Sequence, residues 1–246
     1  FLFDREFRNI IFKNLLIIEN NIKSIIAYQL SRKYGYKESD YLKAKNFTHA
    51  PQKSRQVNDL IKKMKRQVRI NAPQHAATMH YVNNYGYIPL WVLVKVLSFG
   101  IVGELYSILK REDQNSIAEV YGLDADTLQN YLPILANYRN LCAHEDIVFE
   151  NRTQRELGAT IYHKLLKIEQ EEGEYLQGRN DIFALVIIIK ELLTNMEFKN
   201  LTEEIKHILE NLEYNLKTIT MDKVLARMGF PANWQELANI TKKVEE

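Results

Sequence analysis

Isoleucine and leucine recur over residues 7–31 as Ile11, Leu15, Ile18, Ile22 and Ile25, the three-and-four spacing of one helix face. The pattern fades near Gly35, which predicts the end of a long amphipathic helix. A polar connection bearing Tyr41, Phe47 and Pro51 leads to a basic helix predicted near 54–70, then to a loop around Pro73 and a tyrosine-rich segment at Tyr81, Tyr85 and Tyr87. Pro89 suits the first turn of the next helix, whose face carries Trp91, Val94, Leu97, Ile101 and Leu105, with Gly100 and Gly103 allowing a neighbour to approach closely. Ser116 with Glu119 reads as a capping box opening a short helix that stops near Gly122. A further helix is predicted to start near Asp124–Asp126 and to carry Leu128, Leu132 and Leu135 towards Arg139. Thr153 with Glu156 reads as a second capping box, which makes 144–152 a break between two long helices. Beyond Gly173, helices near 180–196 and 202–217 are predicted to be separated by a Thr202 cap, and a last pair surrounds Gly229, Pro231 and Trp234. No repeat interrupts this order. The economical division is a domain at 1–196 with a C-terminal helical extension at 197–246.

Composition agrees with the pattern. A chain of 246 residues, 46% of them hydrophobic, can bury one substantial core or a core with a small appended subdomain. With only 9 Gly and 5 Pro it is suited to long helices rather than to short strands joined by tight turns, so the class expected is all-α. The single cysteine, Cys142, excludes an intrachain disulfide framework and a Cys-rich metal spacing, and a reducing cytoplasm is the expected compartment. The longest strongly apolar run, Ile182 to Ile189, falls far below the roughly 18 residues that cross a bilayer, and Asp4 and Arg5 spoil a signal peptide. A soluble protein without a membrane partner is expected. The chain opens at Phe1 with a helix already under way, which predicts further sequence upstream.

Net charge is only +2, but from Leu60 to Gly103 there is no Asp or Glu. Lys62, Lys63, Lys65, Arg66, Arg69 and Lys95 fall in that stretch, and such a segment sets up a local positive potential that attracts phosphate backbones. A merely solvated helix face would give the same pattern.

The candidate chemistry lies at Arg139, Asn140 and His144. On a regular helix Asn140 and His144 stack at i and i+4 with Arg139 about 100° around, so the three converge if the helix ends or distorts there. Cleaving RNA without a metal requires taking a proton from a 2′-hydroxyl, giving one to the departing 5′-oxygen, and stabilising negative charge on phosphate oxygens. Histidine, titrating at about 6.5 when unperturbed, can do either proton transfer, and arginine offers a planar fork of donors to phosphate. With twelve arginines and six histidines in 246 residues, an arginine five before a histidine arises by chance about 0.3 times, so the spacing proves little by itself. A histidine at a helix end is more often a partner of the helix dipole than a catalyst.

The surrounding residues add to this. Arg139-Asn140-Leu141-Cys142-Ala143-His144 closely resembles the Arg-Asn-x-x-Ala-His signature of HEPN domains, and the chain resembles the Abi-like family of abortive-infection proteins, AbiD and AbiF. The resemblance runs through Phe3-Asp4-Arg5-Glu6-Phe7-Arg8, Ile18-Glu19, Pro89-Leu90-Trp91, Leu97-Ser98-Phe99-Gly100, Asn151-Arg152 and Met228-Gly229-Phe230-Pro231 with Trp234. It implies an all-α, HEPN-type helical bundle and a metal-independent endoribonuclease toxin with catalytic Arg139, Asn140 and His144. It also implies a homodimer whose two motifs face one another, and RNA as partner, either as substrate or as a non-coding antitoxin or guide. HEPN toxins silenced by a nucleotidyltransferase carry a tyrosine two residues after the histidine. Asp146 stands there in this chain, so that regulation is not expected. Where the family tends to carry an acid in the helix after the tryptophan, this chain has Lys95.

Lys62, Lys63, Lys65, Arg66, Arg69 and Arg152 are the expected RNA-binding residues, and DNA is not an expected partner. Glu145 and Asp146 beside His144 point in different directions on a helix, so neither a metal site nor another cofactor is expected. Glu19 reads as an ordinary exposed residue or, if near the motif, as a partner restraining Arg139 or Arg152. The competing functional reading is a non-catalytic module that holds a structured RNA, and a third is a purely structural helical protein.

Overall fold

The computed structural model describes residues 2–71 and 74–241, so the loop expected around Pro73 lies outside the described residues. In chain order come α1 (Leu2–Tyr34), α2 (Glu38–Tyr41), α3 (Ser54–Asn71), α4 (Ala76–Tyr85), α5 (Leu90–Val96) and α6 (Phe99–Ile108). They are followed by α7 (Arg111–Ala118), α8 (Ala125–Ala143), α9 (Ile161–Leu165), α10 (Ile182–Leu192), α11 (Asn195–Asn215) and α12 (Met221–Met228). Among the described residues the only sheet is a hairpin of β1 (Gln170–Glu171) and β2 (Glu174–Tyr175), with Gln170 opposite Tyr175. Its turn residues Glu172 and Gly173 both have positive φ, 51° and 85°, as a tight two-residue hairpin requires. The class is all-α, as composition predicts. The backbone groups into two compact units, Glu19–Leu132 and Phe1–Ile18 with Pro133–Glu246. The expected border at 196/197 falls in the first turn of α11.

In the unit Glu19–Leu132, the second half of α1 buries Ile22, Ile26 and Leu30. Helix α3 buries Val57, Leu60, Ile61 and Met64, a narrow stripe that leaves its cations in solvent. Tyr106 of α6 is fully buried, and its hydroxyl donates to the carbonyls of Gln114 at 3.0 Å and Ala125 at 3.2 Å, which fixes the start of α8. Gly100 and Gly103 turn out not to serve close approach. A Cβ at 100 would meet nothing within 4 Å, and one at 103 would lie at an ordinary 3.6 Å from Leu132.

In the other unit, α10 is apolar all round from Ile182 to Ile189 and buried all round over that run, as such a sequence must be. Asp181 caps it, accepting from the Ala184 and Gly178 N–H groups at 2.9 Å each. Phe230 and Trp234 stack against this helix through Phe183, with ring centroids 5.1 and 5.2 Å apart in sequence. Gly229 admits the chain there at φ 81°, because a Cβ would stand 2.1 Å from the Asp181 carboxyl carbon.

Three expected caps are misplaced. Helix α7 opens at Arg111, and Ser116 lies inside it with its hydroxyl on the Glu112 carbonyl at 3.0 Å, although the stop at Gly122 holds. Thr153 opens no helix: it is buried, its hydroxyl on the Arg155 carbonyl at 2.6 Å, and the chain stays irregular until α9. Thr202 sits within α11 bonded back to the Phe198 carbonyl at 3.0 Å, and the cap is Thr194 in a capping box with Glu197.

Candidate functional site

Helix α8 starts where Asp124 accepts the N–H groups of Asp126 and Thr127 at 2.9 Å, and it buries Leu135, Tyr138 and Cys142 on one side. Tyr138 is anchored by its hydroxyl, which donates to the Asn151 carbonyl at 3.2 Å. Burial pushes the Cys142 thiol up to about 12, so at neutral pH it is a packed, protonated group rather than a nucleophile. On the other side of the same turns Arg139 is half-buried, while Asn140 and His144 are exposed.

The helix ends at the motif. The His144 N–H donates to the Asn140 carbonyl at 3.0 Å, the Glu145 N–H to Cys142 at 3.3 Å and the Asp146 N–H to Leu141 at 3.0 Å. The last two bonds are the paired reverse bonds of a Schellman motif, and its left-handed position is filled by Glu145 at φ 60°, where glycine is usual. His144 is therefore the C-cap, one residue past the end of α8 at Ala143, with Asn140 one turn before it. The Arg139 guanidinium carbon lies 6.0 Å from the centroid of the Phe12 ring, a cation–π contact that restrains the arginine.

The segment that follows is held from the first turns of α1. The Asp4 carboxylate accepts the backbone N–H groups of Val148 at 3.0 Å and Phe149 at 3.1 Å, and Arg8 bonds both Asp4 at 2.8 Å and the Asp146 carbonyl at 3.2 Å. Phe3 adds an edge contact to Phe149 with ring centroids 6.1 Å apart. Asp4 and Arg8 fix the exit of α8 without belonging to the Arg139–His144 signature. Their i, i+4 spacing is the signal in the sequence, but an intrahelical pair and a long-range clamp look alike there.

Arg152 is occupied. Its guanidinium donates to the carbonyls of Glu150 at 3.4 Å, Asn151 at 3.3 Å and Arg227 at 2.7 Å, the last at the end of α12. Of the α3 cations in the acid-free stretch, Lys62, Lys65, Arg66 and Arg69 are exposed, whereas Lys63 pairs with Glu104 at 2.9 Å, an acid just past that stretch. These five belong to the unit Glu19–Leu132, and the Arg139–His144 motif to the other. Glu19 is not an ordinary exposed residue: it is buried and ion-paired with buried Lys23 at 2.6 Å.

The tyrosine-rich segment lies at the surface. Tyr85 is exposed and Tyr81 and Tyr87 are half-buried, with rings packed on one another 5.5–6.5 Å apart. Among the described residues no three His, Cys, Asp or Glu side chains group as a metal site would need, and no helix is long and apolar enough to cross a membrane.

In comparison with known proteins, the family model described as Abi-like protein fits residues 1–150, a span that takes in Asp4, Arg8 and the whole Arg139–His144 motif. No curated protein and no solved structure matches the chain.

Proposed function

Since the chain belongs to the Abi-like protein family, we propose that it is a HEPN endoribonuclease that works as a toxin in abortive infection, cutting single-stranded or loop RNA as a homodimer. The observation that carries this reading is the exposed His144 at the end of α8, with exposed Asn140 one turn before it and Arg139 braced on Phe12. An imidazole accepts the 2′-hydroxyl proton, the 2′-oxygen attacks phosphorus, and the bond from phosphorus to the 5′-oxygen breaks as that oxygen takes a proton. In a dimer with facing motifs, one His144 acts as base and its symmetry mate as acid. Arg139 supplies fixed positive charge to the phosphate oxygens, which gain charge as the transition state forms, and Asn140 orients the phosphate or the imidazole. The products are a 2′,3′-cyclic phosphate and a 5′-hydroxyl. A small structured RNA serves as antitoxin or guide.

Growth arrest on expression, relieved by His144→Ala and by Arg139→Ala, tests the proposal together with the chemistry of the cut ends. Cleavage should persist in EDTA. Ends bearing a 3′-hydroxyl would sink the mechanism, and RNA that co-purifies without being cut by either wild type or His144→Ala would transfer the protein to the scaffold reading.

A further inference from the structure

Within the unit Glu19–Leu132, one stripe of α1 and one of α5 face each other across an open cleft of about 480 Å³. The stripe on α1 carries Tyr28, Ser31 and Arg32, with Tyr36 just past the helix end, and the stripe on α5 carries Trp91 and Lys95. Three of these rings are turned to solvent: Tyr28 is 63% exposed, Tyr36 43% and Trp91 42%. Two of them pack against each other in the open at a tilt of 39°, with Tyr36 and Trp91 centroids 5.9 Å apart.

The charge of the walls has one sign. Arg32 and Lys95 are exposed, and no carboxylate lines the cleft among the described residues. At the Tyr36 end the aromatic surface continues through Tyr87, 5.6 Å from Tyr36, and Tyr81, 6.5 Å from Trp91.

Flat exposed rings and uncompensated cations are what an unpaired nucleotide requires: a face to stack on and charge for its phosphates. Bases inside a duplex are already stacked on each other and present no face to such rings. Resting on the reading that the chain binds RNA, we propose that this cleft is a subsite for one unpaired nucleotide of a single strand. The base lies on Trp91 and Tyr36, and the flanking phosphates meet Arg32 and Lys95. Tyr81 and Tyr87 take the next base along.

The test uses full-length protein carrying His144→Ala, so that the probe stays whole, and a fluorescein-labelled RNA of about ten adenosines. Binding should quench the intrinsic fluorescence of Trp91, because the second tryptophan, Trp234, is buried. Adding Trp91→Leu should weaken binding about tenfold and abolish the quench, Trp91→Phe should stay within about threefold, and Arg32→Ala should lose about fivefold. Trp91 faces the cleft rather than the core, so its replacement should leave the unfolding midpoint within about 2 °C. Affinity unchanged by Trp91→Leu, equal quenching by a blunt duplex, or no binding at all would each overturn the subsite. The two readings fail separately. A protein that never cuts RNA but shows affinity dependent on Trp91 keeps the subsite and loses the nuclease, while cutting with affinity independent of Trp91 loses the subsite alone.

Discussion

Glu145 holds a left-handed conformation, φ 60°, next to the histidine on which the proposed chemistry depends. A side chain there costs about 1–2 kcal/mol, and glycine, free of that cost, gives back about 0.4–1 kcal/mol through its more mobile unfolded chain. The strain is the larger quantity, so Glu145→Gly should raise stability by about 0.5–1 kcal/mol in denaturant unfolding, with RNA cleavage kept. A second residue shows how a polar group is bound into a core. His163 is buried, its Nδ1 accepting the Thr160 N–H at 3.1 Å and its Nε2 donating to the Gly178 carbonyl at 2.9 Å, with the ring on Tyr175 at 4.6 Å. Burial first, and then Arg179, lowers its pKa below the ordinary 6.5, against the pull of the Gly178 carbonyl, so the fold favours the neutral ring. That contribution is complete above about 6.5 and is lost as pH falls from there towards the lowered folded value. Between about pH 7 and about pH 5, wild type should therefore lose more unfolding free energy than His163→Gln, which cannot titrate. Parallel pH curves would show that His163 is not linked to folding.

At the scale of elements, what the sequence disclosed and what it hid have different physical origins. Helices α1, α3 and α8 were legible because each carries apolar residues at one helical period, and burial of that face is what makes the helix, while α10 was legible as an unbroken apolar run. The caps at Ser116, Thr153 and Thr202 were misread because a hydroxyl bonded to the preceding turn and a hydroxyl capping a new helix need the same residue types. The hairpin at 170–175 was invisible for another reason, being two residues per strand with no alternation to detect. The motif at the end of α8 was readable by its residues, but the clamp on it was not, since Asp4 and Val148 are 144 positions apart. That clamp is open to test. Asp4→Ala removes an acceptor from two backbone N–H groups and from Arg8, a loss of about 2–3 kcal/mol for charge-assisted bonds. The loop at 146–149 should exchange its amide hydrogens faster, and RNA cleavage should fall more than tenfold while helical content is retained. A variant with native exchange at Val148 and Phe149 would refute the clamp.

For the whole molecule, a net charge of +2 forecasts little attraction to RNA, and the prediction rests instead on where charges are left uncompensated. Lys33 shows the contrast: its ammonium is spent on Glu112 and Asp113 at 2.5 Å each, and these partners raise its pKa, overcoming burial, so it offers little to a phosphate. Lys63 is engaged by Glu104, and Arg152 by three carbonyls. What remains exposed on α3 is Lys62, Lys65, Arg66 and Arg69 in the acid-free stretch, with Arg55 in the first turn. Each phosphate contact to a single strand contributes about 0.7 to the slope of log affinity against log salt. Replacing all four with Gln should therefore flatten that slope by up to about 3, and Lys63→Gln should change it by well under 0.7, since its charge is already met. A slope that responds to Lys63 as strongly as to Arg66 would mean that RNA breaks the Glu104 pair on binding. A slope that ignores Lys63 and the other four alike would move the phosphate-binding surface off the acid-free stretch of α3 and towards other cations, Arg32 and Lys95 among them.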